Sequence, residues 1–365
     1  MSQSPRNDFD PTAYNPTFQW HFLAPKYWGT WLAILLLIPV TLLPVSWRHW
    51  VAKKAAKKLI KKRKSTTHTA WVNLGLCFPD KSEAEREEIL YQTLVTAGVF
   101  MSGFALLTLK NKAWLHQQCD IQGLAHLEAA QANNNNVILL VPHTWPIDIP
   151  AVLLASMGMP VVGFAKKQSN DVMDWLMHRQ RVQYGGRIYE RSAGIKPFIK
   201  SVREGYLGYY LPDQDHGPKL SLFVDFFATR KATLPGLGKM SKVCKASVLP
   251  LFSRFDAKSG RYVVEIHPPL APFPAQNEEQ DATLMNQFIE SRVGEHHEQY
   301  MWILKLLKTQ ESGVNYYQLA QKDSDWLQQA RNNNHRIQGN NHSIQNNNGT
   351  TQHKHSASND SGDTQ

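Results

Sequence analysis

Residues 137–148 read VILLVPHTWPID, and this stretch decides the fold. Its first five residues are all apolar, which predicts a strand, Val137–Val141, that is buried on both faces. Pro146 and Pro150 then mark a turn and the start of a helix. Reactive side chains of a parallel α/β sheet gather at the carboxyl ends of its strands, so His143 stands where such a fold places its chemistry. Asp148 follows five residues later.

Short apolar runs recur after this stretch and predict the rest of the sheet. Further strands are predicted at Val161–Ala165, Tyr206–Leu211, Val248–Phe252 and Tyr262–Ile266. Helices are predicted between them at 171–182, 195–204 and 236–245, with one or two closing helices over 281–308. Apolar strands that alternate with helices are typical of a parallel sheet covered on both faces. The predicted fold class is therefore α/β, with a mainly parallel central sheet flanked by helices.

The most apolar part of the chain lies near its start, at residues 28–47 (WGTWLAILLLIPVTLLPVSW), and carries no charge. This length, with Trp28, Trp31 and Trp47 near the two ends, predicts a transmembrane helix with aromatic anchors. Two prolines interrupt the ideal helix. A cleaved signal peptide is the competing interpretation, but no basic leading region or small-residue cleavage site is evident. Residues 1–27 form an N-terminal segment.

A basic arm follows at residues 48–64 (RHWVAKKAAKKLIKKRK), with nine Lys/Arg and no Asp or Glu, and supplies nearly all of the formal net charge of +10. Paired lysines every four residues predict a helix with one ammonium face, formed by Lys53, Lys54, Lys57, Lys58, Lys61 and Lys62. The positive-inside rule places the arm in the cytoplasm, where each basic residue beside an anionic leaflet contributes about 1 kcal/mol. We expect anionic lipid or an acidic protein as its partner, and no nucleic acid, because a membrane segment is adjacent.

Three further features bound the domain organisation. Residues 89–109 also carry no charge, but their polar side chains favour a helix buried in the domain, or dipping into the membrane interface, over a second span. The folded domain is predicted at 65–330, and the tail 331–365, rich in Asn and Gln, is predicted to be disordered. The three cysteines are far apart, which excludes a disulfide framework and indicates a reducing compartment; they are Cys77, Cys119 and Cys244.

The His143–Asp148 spacing predicts acid–base chemistry. An imidazole can remove a proton near neutral pH, and a carboxylate beside it fixes the tautomer and stabilises the imidazolium. No enzymic nucleophile accompanies the pair, which suits direct transfer of a group onto a substrate hydroxyl. The spacing alone is weak evidence, because it recurs by chance at His355 and Asp360.

Two polar clusters supply the context for this pair. Arg187 and Arg191 follow a Gly-Gly turn, where they form either a solvated loop or a clamp for phosphate or carboxylate. The second cluster lies at another strand end and either binds a metal or organises a turn; it comprises Asp213, Gln214, Asp215 and His216. A carboxylate-rich set elsewhere is lacking, so we expect no metal.

Four blocks of sequence resemble the late acyltransferases of lipid A biosynthesis, in particular the branch that adds the last secondary chain (the myristoyltransferase type). The blocks are VPHTWPIDIP, YGGRIYERSAGIKPFIKSVREGYLGYYLPDQDHGP, FVDFFATRKATLPGLGKM and YMWILKLLK, and they appear in the family's order. The resemblance extends from Trp20 to Leu319. Thr144 stands where the family pattern has Gly, and the Asn-rich tail has no counterpart.

The resemblance implies a single-pass enzyme of the bacterial inner membrane with a catalytic domain of glycerolipid-acyltransferase type on the cytoplasmic face. Such an enzyme takes a fatty acyl chain of lauroyl to myristoyl length from acyl carrier protein, which holds it as a phosphopantetheine thioester. It esterifies a 3-hydroxyl on an acyl chain of a lipid A precursor. No bound cofactor or metal is implied.

The resemblance also implies roles for individual residues. His143 would be the general base and Asp148 its partner. Substrate binding would fall to Arg187, Arg191, Asp213, Gln214, Asp215 and His216, and the basic arm would meet acyl carrier protein or anionic inner-membrane lipid. Three rivals stay open: a glycerophospholipid acyltransferase, which lacks the later blocks; a metal-dependent phosphoesterase; and a non-enzymatic basic membrane tether.

Overall fold

The computed structural model describes residues 10–132, 135–334 and 336. Its α-helices are α1 (Trp28–Leu42), α2 (Val45–Lys62), α3 (Thr66–Cys77), α4 (Glu83–Gly103), α5 (Leu106–Leu109), α6 (Lys112–Gln118), α7 (Leu124–Ala132), α8 (Asp148–Ser156), α9 (Asp171–Arg181), α10 (Lys196–Arg203), α11 (Leu237–Cys244), α12 (Glu278–Glu295) and α13 (Tyr316–Leu319). Its strands are β1 (Cys119–Gln122), β2 (Asn136–Leu140), β3 (Val161–Ala165), β4 (Arg187–Glu190), β5 (Leu207–Tyr210), β6 (Leu222–Phe226), β7 (Thr229–Thr233), β8 (Ala246–Phe255) and β9 (Tyr262–Ile266).

A seven-stranded sheet forms the centre of the domain, in the order β1-β9-β8-β2-β5-β3-β4. Every neighbouring pair is parallel except β8–β9. β2 lies in the middle, and its residues Ile138, Leu139 and Leu140 are completely buried. This confirms the predicted mainly parallel α/β sheet, and all five predicted strands are present.

The local sequence pattern did not predict four strands, β1, β4, β6 and β7, or the antiparallel direction of β9. The edge strands β1 and β4 read CDIQ and RIYE, so they lack the apolar run that marks the buried strands. β9 reverses direction because a tight turn joins it to β8, with Asp256 N–H donating to the Arg261 carbonyl at 2.9 Å. β6 and β7 pair with each other as an antiparallel hairpin outside the main sheet.

The predicted helix 28–47 is wrong in extent, because it is two helices. α1 ends at Leu42, and α2 begins at Val45. Pro44 causes the break, since a residue before proline is held in an extended conformation, and Leu43 has ψ 148°. Trp47 therefore lies on α2. The fifteen residues of α1 rise about 22 Å, less than the ~30 Å of a bilayer core, although Pro25–Leu42 is long and apolar enough to cross a membrane by length and composition.

α1 packs on the domain at both ends. At its start, the Asn170 amide donates to the Thr30 hydroxyl at 2.7 Å, and Trp31 packs into a small cluster with Val172 of α9. At its end, the buried Thr41 hydroxyl donates to the Ser102 carbonyl at 2.8 Å. That carbonyl lies in the last turn of α4, where no intrahelical donor is available. Trp31 is thus a packing residue, whereas Trp28 and Trp47 are exposed.

The basic arm is helical as predicted. α2 packs on α4 through Ala52, Ala56 and Ile60, which are buried, and all six lysines of the ammonium face are exposed. Arg48 differs from them, because its buried guanidinium donates to the Val99 carbonyl of α4 at 3.2 Å. The arm is therefore fixed to the domain along one face and presents its lysines on the other.

α4 contains most of the uncharged segment 89–109 and packs inside the domain. It begins with a capping box, in which Ser82 and Glu85 bond each other's backbone N–H. Leu90, Val95 and Val99 are buried in the two largest apolar clusters. This agrees with the prediction of a helix buried in the domain, although its composition also suits a span.

The predicted boundary of the tail at 331 is wrong. Residues 326–334 are helical. Within this helix, Arg331 donates to the Pro79 carbonyl and the Asn333 amide donates to the Tyr316 hydroxyl at 3.0 Å. Residues 335 and 337–365 of the predicted tail, and residues 1–9 of the N-terminal segment, lie outside the described residues.

Candidate active site

His143 lies in the loop after β2 and is held by Asp213. Asp213 Oδ2 accepts the backbone N–H of His143 at 2.7 Å, and Oδ1 accepts the proton of imidazole Nδ1. Because Nδ1 donates to a carboxylate, the lone pair of the neutral ring lies on Nε2. That is the tautomer a general base needs. The imidazole keeps 11% of its surface exposed, whereas the Asp213 side chain has none.

The order of the strands brings these two residues together. β2 and β5 are parallel neighbours, and Val141 N–H continues their ladder by donating to the Tyr210 carbonyl at 2.9 Å. His143 and Asp213 each lie three residues beyond the end of their strand. Both strand ends meet at the same edge of the sheet, so the side chains face each other.

Asp213 is ionised despite its burial. Burial raises the pKa of a carboxyl, but the charge that His143 carries when protonated, its hydrogen bonds and the charge of Lys231 outweigh burial and lower the pKa of Asp213. The carboxylate can therefore stabilise a positive charge on the imidazole when the ring takes up a proton.

The outer nitrogen of the imidazole contacts Gln214. Gln214 Nε2 donates to His143 Nε2 at 3.0 Å, and Gln214 Oε1 accepts from Arg191. Four of the residues predicted for the site thus form one hydrogen-bonded chain: Asp213, His143, Gln214 and Arg191. It runs from a fully buried carboxylate to an exposed guanidinium.

The predicted role of Asp148 as partner of the imidazole is wrong. Asp148 begins α8, and its two oxygens accept from Nε and Nη2 of Arg181 at 3.0 and 3.1 Å. Both ring nitrogens of His143 have other partners, and the orienting role falls to Asp213, which had been expected to bind substrate. The charge of Asp148 raises the pKa of Arg181. No spacing in the sequence had indicated Arg181, which closes α9.

The backbone of the His143 loop is fixed by a segment far along the chain. Met301 N–H donates to the His143 carbonyl at 2.8 Å, and Trp145 N–H donates to the Gln299 carbonyl at 3.0 Å. The buried Thr144 hydroxyl lies 2.8 Å from the Ser253 hydroxyl of β8. Thr144, the departure from the family pattern, is therefore accommodated by a specific partner. Met301 belongs to the YMWILKLLK block, so this block positions the loop.

Arg187 does not form the predicted substrate clamp. Its side chain is buried, and Nη1 donates to Ser201 Oγ at 3.0 Å and to Glu204 Oε2 at 2.5 Å. The guanidinium also lies 4.3 Å from the centre of the Tyr206 ring. These contacts join β4 to α10, and Arg191 alone of the two arginines is exposed.

The remaining predicted residues divide between a turn and the surface. The Asp215 carboxylate accepts from Thr309 N–H at 2.6 Å, from the Thr309 hydroxyl at 2.8 Å and from Gly217 N–H at 2.9 Å, so it organises a turn. His216 is exposed. Within the described residues, Asp148, Asp213 and Asp215 have separate protein partners, and no group of three or more His, Cys, Asp or Glu is placed to hold a metal.

Comparison with known proteins identifies relatives of this chain. The profile of the bacterial lipid A biosynthesis acyltransferase family matches residues 15–309. The lipid A biosynthesis myristoyltransferase of Escherichia coli (strain K12) is 44% identical over 300 residues, covering 82% of this chain and 93% of that protein. A lipid A biosynthesis acyltransferase of Haemophilus influenzae is 41% identical, covering 83% and 95%. The E. coli lauroyltransferase is 29% identical, covering 82% and 97%.

The two arginines provide a test of this site. Arg187→Ala is expected to lower the free energy of unfolding by about 3 kcal/mol, because it leaves Glu204 without its buried partner. Arg191→Ala removes an exposed side chain and should change stability by less than about 0.5 kcal/mol. Urea unfolding in detergent micelles, followed by tryptophan fluorescence, measures both. Equal stability of the two variants would contradict the assignment of Arg187 to the fold.

Proposed function

The chain belongs to the bacterial lipid A biosynthesis acyltransferase family, on the side of its myristoyltransferase branch, and on that premise we propose how it works. It moves a fatty acyl chain of lauroyl to myristoyl length from acyl carrier protein to a 3-hydroxyl on an acyl chain of a lipid A precursor, with His143 as general base. The observation that carries this proposal is the Asp213–His143 contact, which leaves the lone pair of a neutral imidazole on Nε2.

The reaction is a single displacement. The acceptor hydroxyl takes the place of the Gln214 amide at His143 Nε2 and gives its proton to the ring as its oxygen attacks the thioester carbonyl. A carbon–oxygen bond forms, and negative charge develops on the carbonyl oxygen. The tetrahedral intermediate collapses with cleavage of the carbon–sulfur bond, and the imidazolium returns its proton to the departing thiolate. Throughout, Asp213 stabilises the charged ring.

Asp148 acts through Arg181 in this proposal. The two hydrogen bonds between them hold a guanidinium whose side chain stays 23% exposed. A positive charge fixed in this way suits an anionic group of the substrate, such as a phosphate of the precursor. Arg191, exposed at the end of the hydrogen-bonded chain, suits the same role.

The surface formed by α1 and α2 supports a location of the enzyme at the membrane. The acceptor is a lipid, and α1 and α2 together expose leucines, tryptophans and six lysines. We assign the apolar side chains to the bacterial inner membrane and the lysines to its anionic cytoplasmic headgroups. Acyl carrier protein would reach the domain from the cytoplasm.

Mass spectrometry of the product tests the reaction. Purified full-length protein in mixed micelles receives a lipid A precursor with a free 3-hydroxyl and carrier proteins loaded with lauroyl, myristoyl or palmitoyl chains. We expect one acyl mass to be added, with lauroyl or myristoyl preferred. His143→Ala should lower the rate about 10²–10⁴-fold, because the general base is lost.

His126→Ala on α7 is the matched control and should keep the wild-type rate. Unchanged activity of His143→Ala would contradict the assigned base. Acylation of a glycerophosphate acceptor in place of the precursor would favour the glycerophospholipid rival. An acyl ester trapped on a serine or cysteine during turnover would exclude single displacement.

The pH–rate profile separates the roles of the two carboxylates. Asp213→Asn should lower kcat about 10²–10⁴-fold and move the acidic limb of the profile to lower pH, because the anion that stabilises the protonated pair is lost. Asp148→Asn should also lower activity, through Arg181, but leave the acidic limb in place. A shifted limb in Asp148→Asn and not in Asp213→Asn would reverse the two assignments.

A further inference from the structure

The segment that precedes α1 packs on the same domain as the segment that follows it. Asp10 is buried, and its Oδ2 accepts from the Tyr189 hydroxyl at 2.8 Å. Tyr14 N–H donates to the Ile188 carbonyl of β4 at 2.7 Å, and its hydroxyl bonds Asp174 of α9. The chain thus lies against the edge of the central sheet before it enters α1.

The residues directly before α1 also pack on the domain. Phe22 and Tyr27 are buried against Val172, and the Tyr27 hydroxyl bonds Asp171. After α1, the chain returns at once to the domain through the buried face of α2 on α4. A helix that crosses a bilayer once leaves its two flanks on opposite sides, so one domain could not hold both.

We propose that α1 lies within the cytoplasmic leaflet and does not cross the membrane, with an anionic lipid surface as its partner. This replaces the predicted single pass. The face of α1 turned away from the domain exposes large apolar side chains, including Leu32, Leu35 and Leu36, which suit acyl chains. Exposed tryptophans lie on both sides of α1, and the lysine face of α2 follows, which complements anionic headgroups.

The position of the N-terminal flank tests this inference. Single cysteines at the exposed positions Thr17 and Lys64, before α1 and after α2, are labelled with a membrane-impermeant maleimide. In inverted inner-membrane vesicles both should react, and in intact spheroplasts neither should. The protein without added cysteines gives the background from Cys119, the half-buried native thiol.

Reaction of Thr17→Cys from the outer side, with Lys64→Cys reactive only from the inner side, would overturn the inference and restore a single span. The result does not depend on the proposed acyl transfer, because it reports the location of the chain alone. Unfolding of both variants at the same urea concentration as the parent protein shows that the labelled proteins are folded.

A second inference concerns Lys231 on the β6–β7 hairpin. Its side chain is completely buried, and its Nζ has no hydrogen-bonding acceptor within the described part of the chain. A buried ammonium is costly unless anions compensate it. Asp213 and Asp215 are the carboxylates that do so, and they oppose the burial that lowers the pKa of Lys231.

The other groups around this charge are neutral or already engaged. Burial raises the pKa of the Cys77 thiol and of the Tyr300 hydroxyl, so both keep their protons. Asp215 already accepts the three hydrogen bonds of its turn. His216 is exposed, and burial of part of its ring, followed by the charges of Arg191 and Lys231, lowers its pKa. Lys231 is therefore the cation of the hairpin whose charge acts on Asp213, and its buried Nζ has no hydrogen-bonding acceptor of its own within the described residues.

We infer that Lys231 is a positioning residue: its buried ammonium compensates the negative charge of the Asp213 carboxylate that holds His143. The inference rests on the proposed function. Without the ammonium, the Asp213–His143 pair would hold an uncompensated negative charge in a buried site and would take up a proton. The ring would then have no lone pair for the acceptor hydroxyl. The hairpin, which contributes no strand to the main sheet, thereby gains a part in the chemistry.

Lys231→Met tests this role, because methionine has a side chain of similar size to lysine but carries no charge. The acidic limb of the kcat/KM profile should move up by about one to two pH units, with activity recovering at high pH. Lys231→Arg should keep the limb of the wild-type enzyme. Lys239→Met, which removes an exposed lysine of α11, should keep it as well. Lys231→Gln provides a second uncharged variant if the methionine variant does not fold.

An unshifted limb in a folded, uncharged variant would overturn the role of Lys231, even if its rate were uniformly lower. The His143→Ala variant keeps this result separate from the proposed function. If His143→Ala is inactive and the limb of the lysine variants is unshifted, only the positioning role fails. If His143→Ala is active, the assignment of His143 as the general base is wrong, and the role of Lys231 that rests on it is wrong too.

Discussion

The contact between Asp213 and His143 is the constraint on which the rest of the site depends. It joins the ends of two neighbouring strands in the middle of the sheet, and it holds both the backbone and the ring of the histidine. A buried carboxylate that accepts both hydrogen bonds leaves the ring a single tautomer. Other contacts support this pair. The backbone hydrogen bonds of Gln299 and Met301 and the turn at Asp215 support its geometry, and the ammonium of Lys231 supports its charge.

Sequence reasoning found what depends on local pattern. The five apolar runs predicted the buried strands because residues buried on both faces must all be apolar. The position of His143 at a strand end followed from the same rule. The partner of His143 did not follow, because it depends on which strands are neighbours, and no local pattern records that β2 lies beside β5.

The errors at other residues have causes of two kinds. Arg187 and Arg191 are indistinguishable by spacing, yet one is buried against Glu204 and the other is exposed. Sequence reasoning did not single out Lys231, because its burial depends on how the β6–β7 hairpin packs. The helix 28–47 was drawn through Pro44 because hydropathy does not register the extended residue that must precede a proline. The burial of Arg187 and Lys231 depends on packing that the local sequence does not show, whereas the break in the helix is a local effect of Pro44 on Leu43.

In the proposed reaction, the Gln214 amide at His143 Nε2 would limit wasteful hydrolysis of the acyl donor. An uncovered base beside a thioester would activate water as readily as an alcohol, and the donor would be hydrolysed to no purpose. In that reaction the amide would shield the lone pair until an acceptor chain displaces it. Held by Arg191, the Gln214 side chain would thus favour esterification of the acceptor over transfer of the acyl chain to water.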